Sequence, residues 1–267
     1  MGSISKRILE AIEAYKNKDI EASKKAHTTD RIKAAAEEHK TESGAYIGEA
    51  VYGALDGIVT TFAVVAGVEG AGLSSGIVLI LGFANLIGDG LSMGVGSYLS
   101  TKSRREYEQS ERERELWEIE NYPRGEREEI REIYRKKGFS GADLDRAVEI
   151  ITSDRKIWID TMMQEELGII EEDSPPFLNG LSTFISFVIA GFLPLLFFVL
   201  ALAAPTLQEY TFVMSVGLTA LALFGVGSLR VLVTKTKWWR SGLEMLIVGG
   251  MAALGAYIIG NLLKGLA

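Results

Sequence analysis

Two carboxylates lie in an apolar, glycine-rich stretch that is long enough to cross a lipid bilayer. Glu49 and Asp56 are seven residues apart, so a helix would place them about two turns apart on one face. A charged side chain at membrane depth costs at least about 2.5 kcal/mol, and such residues usually face a cavity or an ion pathway. The pair therefore indicates an ion pathway, unless Asp56 makes only a structural hydrogen bond to Tyr52, Thr60 or the backbone.

The next apolar stretch carries a second set of candidate ligands. Asn85, Asp89 and Met93 are spaced four apart, which places them on one helical face. A thioether beside carboxylates favours borderline transition metals over magnesium or calcium. By itself Met93 is typical of core packing, so its role depends on the face that it shares with the other two. Competition between a metal ion and a proton for a desolvated carboxylate such as Asp56 is the physical basis of coupled exchange.

The composition combines membrane and soluble character. Of the 267 residues 48% are hydrophobic, yet 24% are charged, and the net charge is −7. This balance predicts membrane segments joined to a highly charged soluble part. The chain has no cysteine, and its two histidines, His27 and His39, lie in the polar N-terminal region. A metal site elsewhere must therefore use oxygen ligands and methionine sulfur.

The elements that position these residues are predicted to be helices. We expect an all-α integral membrane protein with five transmembrane helices and a three-helix cytoplasmic domain inserted between the second and third spans. The stretches that reach the length of a span, about 20 residues, are Tyr46–Val68, Ser74–Ser100, Phe177–Ala203, Glu209–Val233 and Gly242–Lys264. The expected parts of the chain are a polar N-terminal region (1–44), the first two spans (45–100), the insert (101–176) and the last three spans (177–267).

Loop charge predicts the orientation of these spans. Residues 1–44 contain nine Lys and Arg, residues 101–176 contain fourteen and residues 234–240 contain three, whereas 69–73 and 204–208 contain none. By the positive-inside rule the three basic segments are cytoplasmic, and five spans then place the C-terminus on the opposite side.

The N-terminal region is predicted to contain an amphipathic helix. Residues 4–15 place Ile4, Ile8, Ile12 and Tyr15 on one face. Such a helix fits the inner membrane surface, and packing on the cytoplasmic insert is the alternative.

The insert is predicted to bind cations. Its first helix runs through about Glu120, the second covers Glu126–Lys137, and the third extends from about Gly141 to Leu167, where a break near Ser153 could divide it. The insert has 21 acidic and 14 basic residues, a balance that repels nucleic acid and suits cation capture.

Candidate metal ligands recur on all three insert helices. They are Glu115, Glu118, Glu126, Glu129, Met162, Met163 and Glu166. Carboxylates from three helices with two thioethers suit several partly hydrated divalent ions. The alternative is a solvent-exposed, ion-paired helix surface, which the Glu-Arg-Glu-Arg-Glu run at 111–115 indicates when it is taken alone.

Three longer motifs resemble a known family. They are DGIVTT at residues 56–61, SMGVGSYLS at 92–100 and MMQEELG at 162–168. With Pro123 and Trp158 in the insert, they resemble the vacuolar iron transporter family, which includes the yeast calcium-cross-complementing transporter and plant nodulin-like members. The resemblance covers about residues 44–265.

The resemblance implies five spans, a homodimer, a metal path near the two-fold axis lined by the first two spans, and a cytoplasmic metal-binding domain. It implies that Asp56 and Met93 bind metal in the membrane and that Glu49 stands where a second acid is expected. The insert ligands that it implies are the seven residues named above.

One position departs from the family pattern. Family members carry a glutamate where this chain has Asn85, and asparagine can coordinate a metal but cannot take up a proton. Asp89 stands one turn away, where a small residue is more usual, and is predicted to carry the proton instead. The alternative is that Asp89 joins a local hydrogen-bond network or meets basic residues of the insert.

The sequence thus predicts a divalent metal transporter that exports cytosolic ferrous iron by metal/proton antiport. It predicts no enzyme, because the chain has no phosphate-binding loop and no histidine within a span. The expected partners are a second copy of the chain, membrane lipid, metal ions and protons, without nucleic acid or a prosthetic group. Manganese, cobalt, nickel and zinc are further candidate substrates.

Two alternatives stay open at this point. One is a manganese-preferring or broad-specificity exporter, and the other is a non-transporting membrane sensor or storage protein. The predicted location is the plasma membrane in a prokaryote and the vacuolar membrane in a eukaryote.

Overall fold

The fold is helical throughout the part of the chain that the computed structural model describes, which is residues 6–28, 43–170, 174–231 and 237–266. These residues form helices and connecting turns, and no strand occurs among them. The expected all-α class is therefore confirmed for these ranges. The predicted features at Ile4 and His39, and residues 234–236 of the basic turn at 234–240, lie outside them.

The helices follow one another with short connections. In the described ranges they are α1 (Lys6–Asn17), α2 (Ile20–Ala26), α3 (Ser43–Ala71), α4 (Ser75–Asn121), α5 (Pro123–Lys136), α6 (Gly141–Ser153), α7 (Arg155–Thr161), α8 (Pro176–Gly191), α9 (Leu196–Ala203), α10 (Thr211–Leu229) and α11 (Trp238–Leu263). A π-helical turn covers Met162–Glu166, and 3-10 turns cover Leu193–Leu195, Pro205–Tyr210 and Lys264–Leu266.

Among the described residues, five helical stretches are long and apolar enough to cross a membrane, as many as the sequence predicts. They are Gly48–Ala71, Ser75–Asn121, Pro176–Ala203, Pro205–Leu229 and Trp238–Leu266. The third of them is interrupted at Pro194, where the proline predicts a kink. There a 3-10 turn separates α8 from α9, and the Ser215 hydroxyl donates to the Pro194 carbonyl at 2.6 Å.

The chain divides into two compact units, one of residues 1–98 with 174–267 and one of residues 99–173. In the first unit α3 packs against α8, α10 and α11. Glycine permits α3 and α8 to approach closely, since a methyl group at Gly57 of α3 would collide with the Phe187 backbone of α8. Small residues at such positions let helices pack closely in lipid, where dispersion rather than water exclusion drives association.

The second unit has its own apolar core. Its buried members are Ile119, Ile130, Leu144, Val148, Ile151, Trp158, Ile159, Met162 and Met163. The third predicted helix of the insert is in fact divided near Ser153, because Asp154 caps α7 by accepting from the Lys156 and Ile157 backbone N–H groups at 2.8 and 3.0 Å. The insert therefore contains the end of α4, then α5, α6, α7 and the π-helical turn.

The N-terminal helices α1 and α2 pack against each other. Lys18 in the turn between them has a φ of 53°. The amphipathic helix expected at 4–15 corresponds to α1, and its placement on the membrane surface stays a prediction.

Candidate metal sites

The turn between α4 and α5 brings three predicted ligands together. Glu115 and Glu118 lie one turn apart on α4, and Glu126 lies in the first turn of α5, which Pro123 starts. One carboxylate oxygen from each of the three lies within 4.8 Å of the others. Glu115 is only 1% exposed and Glu126 only 4%, so both carboxylates have left water.

These two buried glutamates lack part of their hydrogen bonding. The Oε2 atoms of Glu115 and Glu126 are buried and accept no hydrogen bond from any residue in the described ranges. Burial, reinforced by the charge of Glu166, raises the pKa of Glu115 to about 7. Burial, reinforced by the charge of Glu129, raises the pKa of Glu126 to about 7. Such oxygens are stabilised by a proton or a cation.

Two more predicted ligands, Glu129 and Glu166, lie close to these three glutamates. Burial raises the pKa of Glu166, and both the charge of Glu129 and a hydrogen bond with it act in the same direction. We refer to Glu115, Glu118, Glu126, Glu129 and Glu166 as the acidic cluster.

The two predicted methionine ligands lie in the core of the same unit. Met162 and Met163 are 0% and 2% exposed, and they pack in the cluster that contains Ile119 and Ile130. They share the π-helical turn with Glu166. This burial agrees with a packing role, and their role as ligands stays a prediction.

Arg114 is a residue of this site that the sequence did not single out. Its guanidinium Nη2 lies 2.8 Å from Glu111 Oε2 and 3.0 Å from Glu115 Oε1, and its Nη1 lies 3.3 Å from Glu118 Oε2. The i−3, i+1 and i+4 spacing of these acids was the available signal, but it also fits the surface ion pairs predicted for the 111–115 run.

In the membrane unit, Glu49 joins three helices. Its Oε2 on α3 accepts hydrogen bonds from Ser97 Oγ on α4 and Thr183 Oγ1 on α8, both at 3.0 Å. The carboxylate is therefore held by neutral hydroxyl groups rather than by a basic side chain.

Asp56 and Asp89 approach each other from neighbouring helices. Asp56 is half-buried on α3 and Asp89 is exposed on α4, and the two charges repel each other. Neither carboxylate forms an ion pair with a Lys or Arg in the described ranges. Thr60 was one possible partner for the Asp56 carboxylate, but its hydroxyl donates to the Asp56 backbone carbonyl at 2.9 Å instead.

Asn85 and Met93 lie on the same helix as Asp89 but have different surroundings. The Asn85 Nδ2 lies 3.3 Å from both Thr60 Oγ1 and Thr61 Oγ1, which orients the amide. Met93 packs against the core of the membrane unit. Within the described part of this unit no three carboxylates converge as they do in the acidic cluster.

A cavity of about 500 Å³ opens beside Asp56. Its lining is otherwise mostly apolar, with Val51 and Leu55 of α3 and Met245 of α11, and it also includes the basic Arg230 at the end of α10. Asp56 is thus half-buried but borders open space, which is the environment of an accessible polar group rather than of a core residue.

Comparison with known proteins assigns the chain to a family. Residues 47–261 match the VIT family, a range that includes all twelve predicted site residues. This chain belongs to the VIT family. The resemblance predicted from the three motifs is therefore confirmed.

Relatives within the VIT family align over most of this chain. A vacuolar iron transporter of Toxoplasma gondii is 38% identical over 264 residues, which cover 95% of this chain and 87% of the relative. A vacuolar iron transporter of Plasmodium falciparum is 33% identical, with 98% of each chain covered. Vacuolar iron transporter 1 of Arabidopsis thaliana is 33% identical, with 85% of this chain and 91% of the relative covered.

The names and the coverage of these relatives add two points. The relatives are named as transporters, which agrees with the expectation that this VIT family chain is not an enzyme. The 98% coverage by the Plasmodium falciparum protein also means that the alignment includes most of residues 1–46, which lie outside the range of the family match.

Proposed function

We propose that this chain is a multi-pass membrane transporter that exports cytosolic ferrous iron in exchange for protons. The observation that carries the proposal is the approach of Asp56 and Asp89 from two neighbouring spans without a basic partner in the described ranges. A sensor or storage protein has no need for acids at membrane depth, where each is costly. The names of the relatives support iron as the cargo.

The acidic cluster is the proposed capture site for the metal. Its oxygen-rich ligand set suits divalent iron and manganese, and the Met162 and Met163 sulfurs would add preference for transition metals. Glu115 and Glu126 each have a buried oxygen that lacks a hydrogen-bond donor in the described chain, and a bound cation would satisfy both. The metal is the substrate here and not a resident cofactor.

Within the membrane, we assign metal binding to Glu49, Asp56 and Met93 and proton uptake to Asp89. Asn85 provides only a neutral amide, which Thr60 and Thr61 orient. Asp89 is one helical turn from Asn85 and close enough to Asp56 for their charges to interact. Entry of a metal ion between these carboxylates would displace protons, and its exit would favour their return.

The working transporter is proposed to be a homodimer. Asp89 is exposed on α4 of the single chain, and added methyl groups at Gly88 and Gly96 of the same helix would meet open space. A carboxylate facing lipid is unfavourable, whereas small residues allow a second helix to approach closely. A second copy against this surface would cover Asp89 and would add its own Asp56 and Asp89, bringing four carboxylates to the shared path.

The proposed topology follows the loop charges. The N-terminus and the 101–176 insert face the cytosol, and the C-terminus faces the opposite side. The names of the relatives favour a vacuolar membrane.

The test is ferrous iron uptake by the full-length protein in sealed liposomes, measured without oxygen and with or without an imposed pH gradient. We expect uptake above that of protein-free liposomes, and faster uptake when the metal-receiving side is acidic. Binding of iron without any uptake would instead identify a sensor or storage protein. A parallel series with manganese distinguishes a manganese-preferring exporter, for which manganese would outcompete iron at equal concentration.

A further inference from the structure

The acidic cluster already contains a cation that belongs to the chain. The Arg114 guanidinium contacts Glu115 Oε1 at 3.0 Å and Glu118 Oε2 at 3.3 Å. These two glutamates are also two of the three whose oxygens converge within 4.8 Å. Arg114 therefore uses the same carboxylates that a divalent metal ion would use.

A guanidinium and a divalent cation compete at one pair of carboxylates. Arg114 holds Glu115 Oε1, so a metal ion on Glu115 Oε2 would lie close to the guanidinium, and the two positive charges repel strongly in a partly desolvated site. Glu115 is 1% exposed, so this repulsion is screened only weakly by water at that carboxylate. A metal ion that binds Glu115 and Glu118 therefore repels Arg114 and favours its displacement.

Glu111 offers the displaced guanidinium another partner. Its Oε2 accepts from Arg114 Nε at 3.1 Å and from Nη2 at 2.8 Å. Glu111 lies outside the three converging carboxylates, and the Arg114 side chain is 47% exposed. Arg114 can therefore leave Glu115 and Glu118 without losing every ion pair.

We propose that Arg114 is a tethered competitor of the transported metal. In the metal-free protein it pairs with Glu115 and Glu118, and an arriving divalent cation repels it towards Glu111. The consequence is a lower affinity and a faster release of metal than the acidic cluster alone would give. This inference rests on the proposed role of the acidic cluster in metal capture.

The direction of the effect distinguishes competition from a structural role. A structural arginine supports its site, so its loss weakens binding, whereas loss of a competitor strengthens binding. We expect Arg114→Gln to lower the dissociation constant for Mn²⁺ about three- to tenfold, the effect of removing two partly exposed ion pairs. The measurement is isothermal titration calorimetry of Mn²⁺ into the full-length protein in detergent.

Two further variants accompany this measurement. Arg131→Gln is the matched control, because it removes the same charge from the same unit but pairs with Glu128 and Asp145 outside the acidic cluster. Arg114→Lys keeps the charge without the planar fork that bridges three carboxylates, so its dissociation constant should lie between those of the wild type and Arg114→Gln.

Glu111→Gln tests where the guanidinium goes. Without Glu111 the arginine stays on Glu115 and Glu118, so Mn²⁺ binding should weaken in the wild type. In the Arg114→Gln background the same change should have no effect, because the competitor is already gone. An equal loss in both backgrounds would make Glu111 a direct ligand and would contradict its role as the alternative partner.

Weaker or unchanged Mn²⁺ binding in Arg114→Gln, relative to Arg131→Gln, overturns the inference. This failure is distinguishable from failure of the capture role itself. In the latter case the wild type and a variant with Glu115, Glu118, Glu126 and Glu129 all changed to Gln would bind Mn²⁺ equally.

Discussion

At the scale of single residues, Glu115 and Glu126 of the insert are carboxylates buried away from water. A carboxylate that leaves water loses hydration unless other groups replace it. For Glu115 and Glu126 the described chain replaces it only in part, since one oxygen of each accepts no hydrogen bond. Both carboxyl groups therefore favour binding a proton at low pH and a metal ion at high pH.

The raised pKa values of Glu115 and Glu126 predict that stability and metal affinity depend on pH in opposite directions. The pKa of each group is raised from a usual value of 4.5 to about 7, so the folded protein takes up protons. The metal-free protein should therefore lose stability as the pH rises from 4.5 through 7. Metal affinity should rise over the same change, by up to about tenfold per pH unit for each proton displaced.

The check is Glu115→Gln, which removes the buried charge and one ligand together. In thermal unfolding at pH 8 the metal-free variant should melt several degrees above the wild type, since about 1 kcal/mol corresponds to roughly 2–4 °C for a chain of this size. Added Mn²⁺ should then stabilise the variant less than it stabilises the wild type. Glu132→Gln, at an exposed ion pair with Arg135, is the control and should change neither value. A variant that melts below the wild type at pH 8 contradicts the buried-charge explanation.

At the scale of helices, one face of α4 in the span has no close neighbour at its glycines within the described part of the chain. Methyl groups added at Gly88 and Gly96 would meet open space, and Asp89 is exposed beside them. The proposed dimer predicts that this face meets the same face of a second copy. The chain has no cysteine, so single introduced thiols report the contact without background.

We predict that Gly96→Cys forms a disulfide-linked dimer under mild oxidation in native membranes. Two α4 helices in contact through small residues bring their backbones close enough for a disulfide. Leu221→Cys on α10 is the control, because its side chain is 72% exposed on a helix that has no proposed interface. Equal dimer yields from both positions, or none from Gly96→Cys, would contradict the interface.

The elements were more predictable than the contacts between them. Long apolar stretches gave the five spans, because the thickness of the bilayer sets their length. Gly138, with a φ of 99°, ends α5 as a glycine at that position predicts. The π-helical turn at Met162–Glu166 was not predictable, because its sequence is compatible with a regular helix.

In the candidate sites too, the residues were predictable from the sequence and their contacts were not. Spacing along one helix indicated Glu115 with Glu118 and Asn85 with Asp89. It could not show that Glu49 accepts from Ser97 and Thr183, since those partners are 48 and 134 residues away along the chain. Nor could spacing show that Arg114 forms ion pairs with two candidate ligands, since local charge alternation fits a solvent-exposed surface equally well.

At the scale of the whole molecule, a membrane unit with acids in its spans and a separate acidic insert have complementary proposed roles. In the proposed function, the acidic cluster collects divalent metal, and Asp56 with Asp89 exchanges it for protons across the bilayer. Membership of the VIT family and the five spans support this division. Loss of the membrane carboxylate should therefore abolish flux and leave metal binding by the insert intact.

The measurement that tests this division most directly is ferrous iron uptake by Asp56→Asn in liposomes, with Mn²⁺ binding measured on the same preparation. Glu209→Gln, an exposed acid in the turn before α10, is the control. We predict uptake at the level of protein-free liposomes for Asp56→Asn, wild-type uptake for the control, and Mn²⁺ binding to the insert in both. Uptake by Asp56→Asn at the wild-type rate would contradict a path through the membrane carboxylates.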